Sequence, residues 1–308
     1  MLEQPILNPS RARHRRSPSA LFVAPLLPTL VTEPPEGEQW QHEIKYDGYR
    51  TLIVLDHGKG RAFTRRGHDW TGKYVPVVGA ALRLRCRSAS IDGEMVVQDE
   101  QGRSDFAAFQ AALGRAPERM VFYAFDLLEL DGEDLRDEPL ADRRRRLRDL
   151  VGSHDPRSAI QFSEAHGGGG AELLAAACAM GLEGIVSKKR SSNYRSGRQR
   201  SWLKSKCYAE DDFTVIGAEH ESGKPAFALL AREGADGLEY AGSAFVTLGG
   251  DDRDRFWSSI EANARASPAI PMAKGKARRW SDPVMRVRAQ YLGGGDKLRH
   301  ATIREILR

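Results

Sequence analysis

From Gln41 to about Leu130 the chain is written in short β-type runs, each closed by a turn signal, and that rhythm restricts it to a strand-rich fold. The runs are HEIKY, RTLIVLD, RAFTRR, SIDGEMVV and MVFYAFDLLEL, with His57-Gly58-Lys59-Gly60 and Asp131-Gly132 among the turns. Helical patterns predict helices over residues 74–84, 106–113 and the very basic 141–151. His166 and the glycines at 167–170 read as a loop. Residues 171–180 then read as a helix, with Gly181 placed to cap its C-terminus. With 308 residues, 41% of them hydrophobic, the chain is long enough for one large domain or two smaller ones around a real core. Wholesale disorder and collagen-like architecture are excluded. No stretch reaches the roughly 18 uninterrupted apolar residues of a membrane-spanning helix.

The pattern changes after Cys207. Residues 208–212 are polar and acidic and predict a hinge. Beyond it, FTVIGAEH, FALLARE, LEYAGSAFVTL and VMRVRAQYL are four strand candidates, with one helix candidate over residues 253–265. A small barrel of the oligonucleotide-binding type fits that count and length. At the other end, Arg11, Arg13, Arg15 and Arg16 precede an apolar run at 21–30 that Pro25 and Pro28 interrupt. A basic, disordered arm over residues 1–20 is expected there rather than a secretory leader. Cys86, Cys178 and Cys207 are far apart and form no CxxC pair, so neither a disulfide framework nor a zinc site is expected, and a reducing cytosol is the simplest compartment. The 47 Lys plus Arg exceed 42 Asp plus Glu only mildly, so the placement of positive charge matters more than its total.

Placement is informative around residues 43–50, EIKYDGYR. Taken alone, Lys45 could be a surface lysine ahead of a hairpin. It could equally be a nucleophile, because Glu43 and Lys45 alternate onto one face of a strand and can line one pocket. A lysine attacks only when unprotonated, and its ordinary pKa lies near 10.4, so such a role needs neighbouring cations or a metal. Asp92 and Glu94, Tyr123 and Phe125, and Lys204 and Lys206 repeat the i, i+2 spacing inside other apolar runs, and Glu183 opens LEGIVSKK five positions before Lys188. A carboxylate within a buried strand is unfavourable unless it is paired or binds a metal. Each segment alone could be a half-exposed strand, but two acids, several cations and an aromatic on strands leading toward one site are hard to explain that way.

These residues resemble an ordered set of motifs. KYDGYR at 45–50 resembles the KxDGxR motif of the covalent nucleotidyltransferases, the superfamily of ATP-dependent DNA ligases, RNA ligases and capping enzymes. TRRG at 64–67, DGE at 92–94, Phe125-Asp126, EGIVSK at 183–188 and KSK at 204–206 follow in that superfamily's order. The text FTRRGHDWT and SIDGEMVV is most similar to the ligase module of bacterial ligase D, a family of double-strand-break end joining. The resemblance implies an α+β chain of two domains: a nucleotidyltransferase domain of ATP-grasp-like antiparallel sheets with helices over 21–207, and an OB-fold β-barrel over 213–308 beyond the hinge at 208–212. It further implies that Lys45 takes AMP from ATP, that Glu43 reads the adenine amino group and that Phe125 stacks on the purine. Arg50 and Arg65 would contact the nucleotide and then the nick 5′-phosphate. Glu94 and Glu183 would serve the ribose and Mg²⁺ or Mn²⁺, and Lys204 and Lys206, with Lys188, would steady the α-phosphate.

Nicked double-stranded DNA is the implied partner. Between Lys188 and Lys206 there are eight basic residues in nineteen and no acid, interleaved with Asn193, Tyr194 and Trp202. Arg195, Arg198 and Arg200 are therefore the expected phosphate contacts, whereas Arg143 to Arg146 are read simply as basic surface. The implied setting is a monomeric cytoplasmic enzyme at the bacterial nucleoid, with a Ku-type end-binding protein as a candidate partner. One departure stands out: the family's last motif, an arginine closely followed by Asp-Lys, is missing at the end of the chain. Arg299, Arg304 and Arg308 remain as candidates for its role in orienting pyrophosphate. RNA ligases and capping guanylyltransferases share the lysine motif, and a non-catalytic nucleic-acid clamp is the alternative of a different class.

Overall fold

A computed structural model describes residues 22–152, 155, 157–271, 278–293 and 297–307. The expected arm at 1–20 and Arg308 lie outside the described residues. The first elements are β1 (Leu26–Leu30), β2 (Trp40–Ile44), β3 (Tyr49–Asp56), β4 (Lys59–Thr64), α1 (Val75–Ala81), β5 (Ser88–Val97) and α2 (Phe106–Ala112). There follow β6 (Met120–Leu130), β7 (Glu133–Asp134), α3 (Leu140–Val151), β8 (Ile160–Phe162), β9 (Ala165–His166), α4 (Gly170–Ala179), β10 (Gly184–Lys189) and β11 (Gly197–Lys206). The last are β12 (Tyr208–Glu219), β13 (Phe227–Gly234), β14 (Gly237–Phe245), α5 (Gly250–Ala262), β15 (Ala264–Arg265), β16 (Arg278–Leu292) and β17 (Arg299–Ile306). The five helices fall where periodicity predicts them, and Gly181, at φ +71°, follows α4 as its cap. No helix among the described residues is long and apolar enough to cross a membrane. The contacts divide this α+β chain into two compact units, each interleaved in sequence.

Among the described residues, one unit comprises those up to Leu27, Gly48–Ser163 and Ser191–Gln199. Its sheet runs β4-β3-β5-β6-β7, with β8 parallel to β6. Alternation sends Ile53, Leu55, Ile91, Met95 and Val97 into a core completed by Val77 of α1, Phe109 of α2 and Leu147 of α3. The opposite face therefore receives Arg50, Asp92 and Glu94. On β6 the core residues switch from Phe122 and Ala124 to Leu127 because Phe125 is the extra residue of a bulge: Gly93 pairs with Ala124, but Asp92 pairs with Asp126. Gly48 is obligatory at the start of β3, since a Cβ there would fall 2.0 Å from the Met95 carbonyl.

Arg143 and Arg144 contradict the expectation of basic surface. Arg143 is wholly buried and grips both oxygens of the equally buried Asp126 at 2.8 Å, while its Nη1 donates to the carbonyls of Glu138 at 2.6 Å and Ser192 at 2.9 Å. Arg144 donates to the Phe125 carbonyl at 2.9 Å and to Ser163. Only Arg145 and Arg146 of this run face outward, pairing with Asp142 and Glu133. The helical period itself separates the two pairs, because a four-residue run covers a full turn.

The other unit comprises Pro28–Asp47, Glu164–Arg190 and the chain from Arg200 onward. It holds a sheet ordered β1-β11-β10-β2-β9 and a ring of strands, β12-β13-β14-β17-β16, that closes through a β12–β16 pairing. Phe213, Val215, Leu230, Ala244, Val287 and Ile303 fill that barrel against Phe256 and Ile260 of α5. The four strand candidates all contribute. Strand β17 lies beyond the four candidates, because in RHATIREI only Ala301 and Ile303 are buried among charged neighbours. Residues 208–212 are extended and paired rather than an irregular hinge: they run antiparallel to β16, Asp212 accepting from Arg288 at 2.9 Å and Glu210 from Gln290 at 3.2 Å. Polar cross-strand pairs replace the apolar alternation that normally announces a strand.

The cysteine expectation also changes. Cys178 of α4 and Cys207, the residue after β11, form a disulfide with their Cα atoms 5.1 Å apart, and Cys86 is free. The sequence separation of 29 conceals the contact. Replacing Arg143 by Met strands a buried carboxylate, so it is expected to lower unfolding free energy by about 3–5 kcal/mol. Urea denaturation of R143M, D126N and the double variant checks this: the double variant should lose less than the sum of the singles.

Candidate active site

Three adjacent strands, β2, β10 and β11, bring six of the expected residues to one face. Pairing places Gln41, Lys188 and Trp202 in one cross-strand row and Glu43, Val186 and Lys204 in the next. A third row holds Gly184 opposite Lys206, with Lys45 at its end, where the Lys45 amide donates to the Gly184 carbonyl at 2.9 Å. Rows two residues apart share a face, so the lysines of KYDG and KSK converge. Gly184, at φ +140°, can only be glycine here, because a Cβ would lie 2.1 Å from the Ser205 carbonyl. Lys45 itself stands one residue beyond β2 rather than within it.

Glu183 ties this face together. Its Oε2 accepts from Lys45 Nζ, and its Oε1 lies 3.0 Å from Lys206 Nζ. Burial works against its charge, but Lys45 and Lys206 outweigh that and hold the carboxyl below its ordinary pKa. Deeper in the same face, Lys188 Nζ donates to Glu43 Oε2 at 2.8 Å, and the two side chains are each only 2% exposed. Lys188 also lies 4.2 Å from the centroid of Trp202, and Gln41 donates to the other Glu43 oxygen at 3.1 Å. Within this unit Arg299 of β17 forms an ion pair with Asp47 of KYDG. Beside it, burial and then the Lys206 charge lower the His300 pKa. Arg304 donates to Gln290 at the surface.

The first unit carries the remaining residues. Arg50 binds both oxygens of Asp92 at 2.6 Å and lies 4.5 Å from the Phe125 ring centroid. Burial opposes its charge, and the Asp92 carboxylate overcomes that, holding the guanidinium above its ordinary pKa. Glu94 is half-buried on the same face as Asp92, opposite Arg50 across β3. Arg65 is exposed in the turn after β4. Arg195 is exposed and paired with Asp137, and Arg198 and Arg200 are exposed along β11. Tyr194 and Trp202, read as aromatics interleaved among those cations, are instead buried at 2% and 1% exposure. Both aromatics turn inward, Tyr194 toward Asp92 and Trp202 beneath Lys188, while Arg195, Arg198 and Arg200 turn out.

No group of three or more His, Cys, Asp or Glu side chains among the described residues could by itself hold a metal ion. One or two carboxylates do suit Mg²⁺-type ions, which complete their shell with phosphate oxygens and water. Glu183 in one unit and Glu94 in the other each offer a single carboxylate of that kind.

Residues 29–206 match the family model of the ATP-dependent DNA ligase domain. The multifunctional non-homologous end joining protein LigD of Pseudomonas aeruginosa is 36% identical over 285 residues, covering 90% of this chain and 33% of that protein. The LigD protein of Mycobacterium tuberculosis H37Rv is 35% identical over 226 residues, 71% of this chain and 29% of that one. The chain thus spans about a third of the length of the curated relatives it matches. Among solved structures, mycobacterial DNA ligase D complexed with ATP and MES superposes with a TM-score of 0.58 at 28% identity, covering 95% of this chain and 96% of that one.

Glu183 has a pKa below its ordinary 4.5 when folded, so its contribution to stability is present above that value and disappears as pH falls through the lower, folded one. Glu183→Gln is therefore expected to destabilise the protein at neutral pH and to match the wild type progressively in acid. Unfolding free energies of both proteins measured across that range check it.

Proposed function

We propose that this chain, which belongs to the ATP-dependent DNA ligase domain family, seals nicks between a 3′-hydroxyl and a 5′-phosphate through a lysyl-AMP intermediate. The observation that carries the reading is the convergence of Lys45 and Lys206 on the buried Glu183 carboxylate. Lys45 Nζ first gives its ammonium proton to solvent and then attacks the α-phosphorus of ATP with its lone pair; the bond to the bridging oxygen breaks, pyrophosphate leaves with that electron pair, and a second Nζ proton passes to solvent as the phosphoramide forms. Glu183 holds Nζ in place until then, and Lys204 and Lys206 meet the negative charge that grows on the α-phosphate. Glu43, fixed by Lys188 and Gln41, presents a carboxylate edge to the adenine amino group. Phe125 offers its ring to the purine, on a bulge that turns it away from the core. A bound divalent cation would supply charge neutralisation to the phosphates, with Glu183 and Glu94 as its protein ligands.

AMP then passes to the 5′-phosphate of the nick, and the 3′-hydroxyl displaces it to close the strand. Arg50 and Arg65 are assigned to the nucleotide and to that phosphate, and Arg195, Arg198 and Arg200 to the duplex backbone. Arg299 is assigned the pyrophosphate-orienting role: it engages Asp47, two residues from the nucleophile. The domain division follows the motifs, with a nucleotidyltransferase domain over 21–207 and an OB-type barrel over 213–308 joined through 208–212. We further assign the chain to double-strand-break end joining at the bacterial nucleoid, as a monomer working with a Ku-type end-binding protein.

Sealing of a singly nicked duplex with ATP and Mg²⁺ or Mn²⁺ tests the reading. Ligation that disappears in Lys45→Ala and prefers DNA strands and ATP supports it; sealing only of RNA, or only with GTP, assigns the chain to the RNA ligases or capping enzymes instead. Binding should weaken with salt at about 0.9 per neutralised phosphate on logarithmic axes. Replacing Arg195, Arg198 and Arg200 by Ala is expected to flatten that slope by about three such increments in a titration of nick affinity against salt.

A further inference from the structure

If Arg50 serves the nucleotide and the nick, its side chain must be aimed before either arrives, and a closed ring of hydrogen bonds does the aiming. Arg50 Nε and Nη2 donate to the two oxygens of Asp92, both at 2.6 Å, and Nη2 also reaches the Leu26 carbonyl at 3.3 Å. The Leu26 amide donates to the Tyr194 hydroxyl at 3.0 Å, and that hydroxyl donates to Asp92 Oδ2 at 2.6 Å. A hydroxyl has one proton, so accepting from Leu26 commits Tyr194 to donating toward the carboxylate. Burial, followed by the Asp92 charge, raises the phenol well above its ordinary pKa, so the proton stays.

The tyrosine is itself anchored. Its amide donates to the Arg136 carbonyl at 2.7 Å, and the Arg143 guanidinium lies 5.8 Å from its ring centroid. Two residues earlier, the Ser192 carbonyl accepts from the Leu140 amide and from Arg143, both at 2.9 Å. Tyr194 and Asp92 are 2% and 1% exposed, so water does not compete for the ring, and hydrogen bonds in such surroundings reinforce one another.

We propose that Tyr194 is a positioning residue of the ligation reaction: its hydroxyl fixes the Asp92 carboxylate so that Arg50, lying against Phe125, meets the phosphates in one orientation. This rests on the ligase reading above. Without the hydroxyl, Asp92 keeps its ion pair with Arg50 but loses the donor that sets its rotation, and Arg50 spends less time correctly aimed.

The test compares wild type, Tyr194→Phe, Arg50→Ala and the double variant. Adenylation of Lys45 is followed at saturating ATP, and AMP transfer to a nick from pre-adenylated enzyme. Tyr194→Phe keeps the ring, and its maximal rates are expected to fall about tenfold to a hundredfold, the range of a small misplacement of a reacting group, with little change in KM for ATP. In the Arg50→Ala background the same substitution is expected to change nothing further. Unchanged rates in Tyr194→Phe, or an equal loss in both backgrounds, would overturn the proposal, since a merely structural tyrosine multiplies through. A second readout needs no turnover: the Arg50 Nε–H resonance, expected to be sharp and slow to exchange in wild type, should broaden in Tyr194→Phe, and an identical signal contradicts the proposal. A wild-type chain that takes no AMP would refute the ligase reading separately, while the resonance still decides whether Tyr194 aims Arg50.

Discussion

Glu183 is a carboxylate with almost no access to water, gripped from β11 and from the end of β2 by lysines that belong to two different motifs. A lone buried carboxylate would be strongly unfavourable, and two cations make it tolerable. The same attraction solves a second problem, because Lys45 and Lys206 would repel each other if the acid were absent. Three motifs far apart in sequence thereby meet at one carboxylate. Removing the acid would leave two cations facing each other with nothing between them, so the packing of this face depends on Glu183 above all.

A parallel device operates in the other unit. Asp92 and Asp126 occupy paired positions on β5 and β6, and each is held by an arginine through two hydrogen bonds. The bulge at Phe125 makes the arrangement possible: one extra residue turns Asp126 away from the core face and into the reach of Arg143. Arg144 of α3 then secures the carbonyl of the aromatic and Arg143 the residue that follows it. Charge pairing fixes the backbone here; the apolar core behind the sheet supplies the bulk of the packing.

Most of the architecture was legible because alternation and turn signals are local. The five helices, the early strands and four barrel strands all follow from periods of 3.6 and 2. What escaped was decided by contacts between distant segments. Strand β17 and the first part of β12 are held by cross-strand pairs of charged residues, which look like linker when read along the chain. Cys178 meets Cys207 only once α4 and β11 are in place. The motif residues were legible through a resemblance, yet their partnerships were not: no spacing rule links Arg299 to Asp47, or Tyr194 to Asp92. Tyr194 and Trp202 show the limit most clearly, since interleaving with cations does not reveal that the fold buries the aromatics between them.

The central claim is that the amine held by Glu183 is the one that receives the adenylyl group. Intact-mass measurement of the protein after exposure to ATP and a divalent cation, followed by peptide mapping, addresses it directly. The account predicts a gain of one AMP, about 329 Da by the ordinary chemistry of phosphoramide formation, located on Lys45 and absent from Lys45→Ala. A protein that stays unmodified with either Mg²⁺ or Mn²⁺, or that carries the group on another residue, would contradict it.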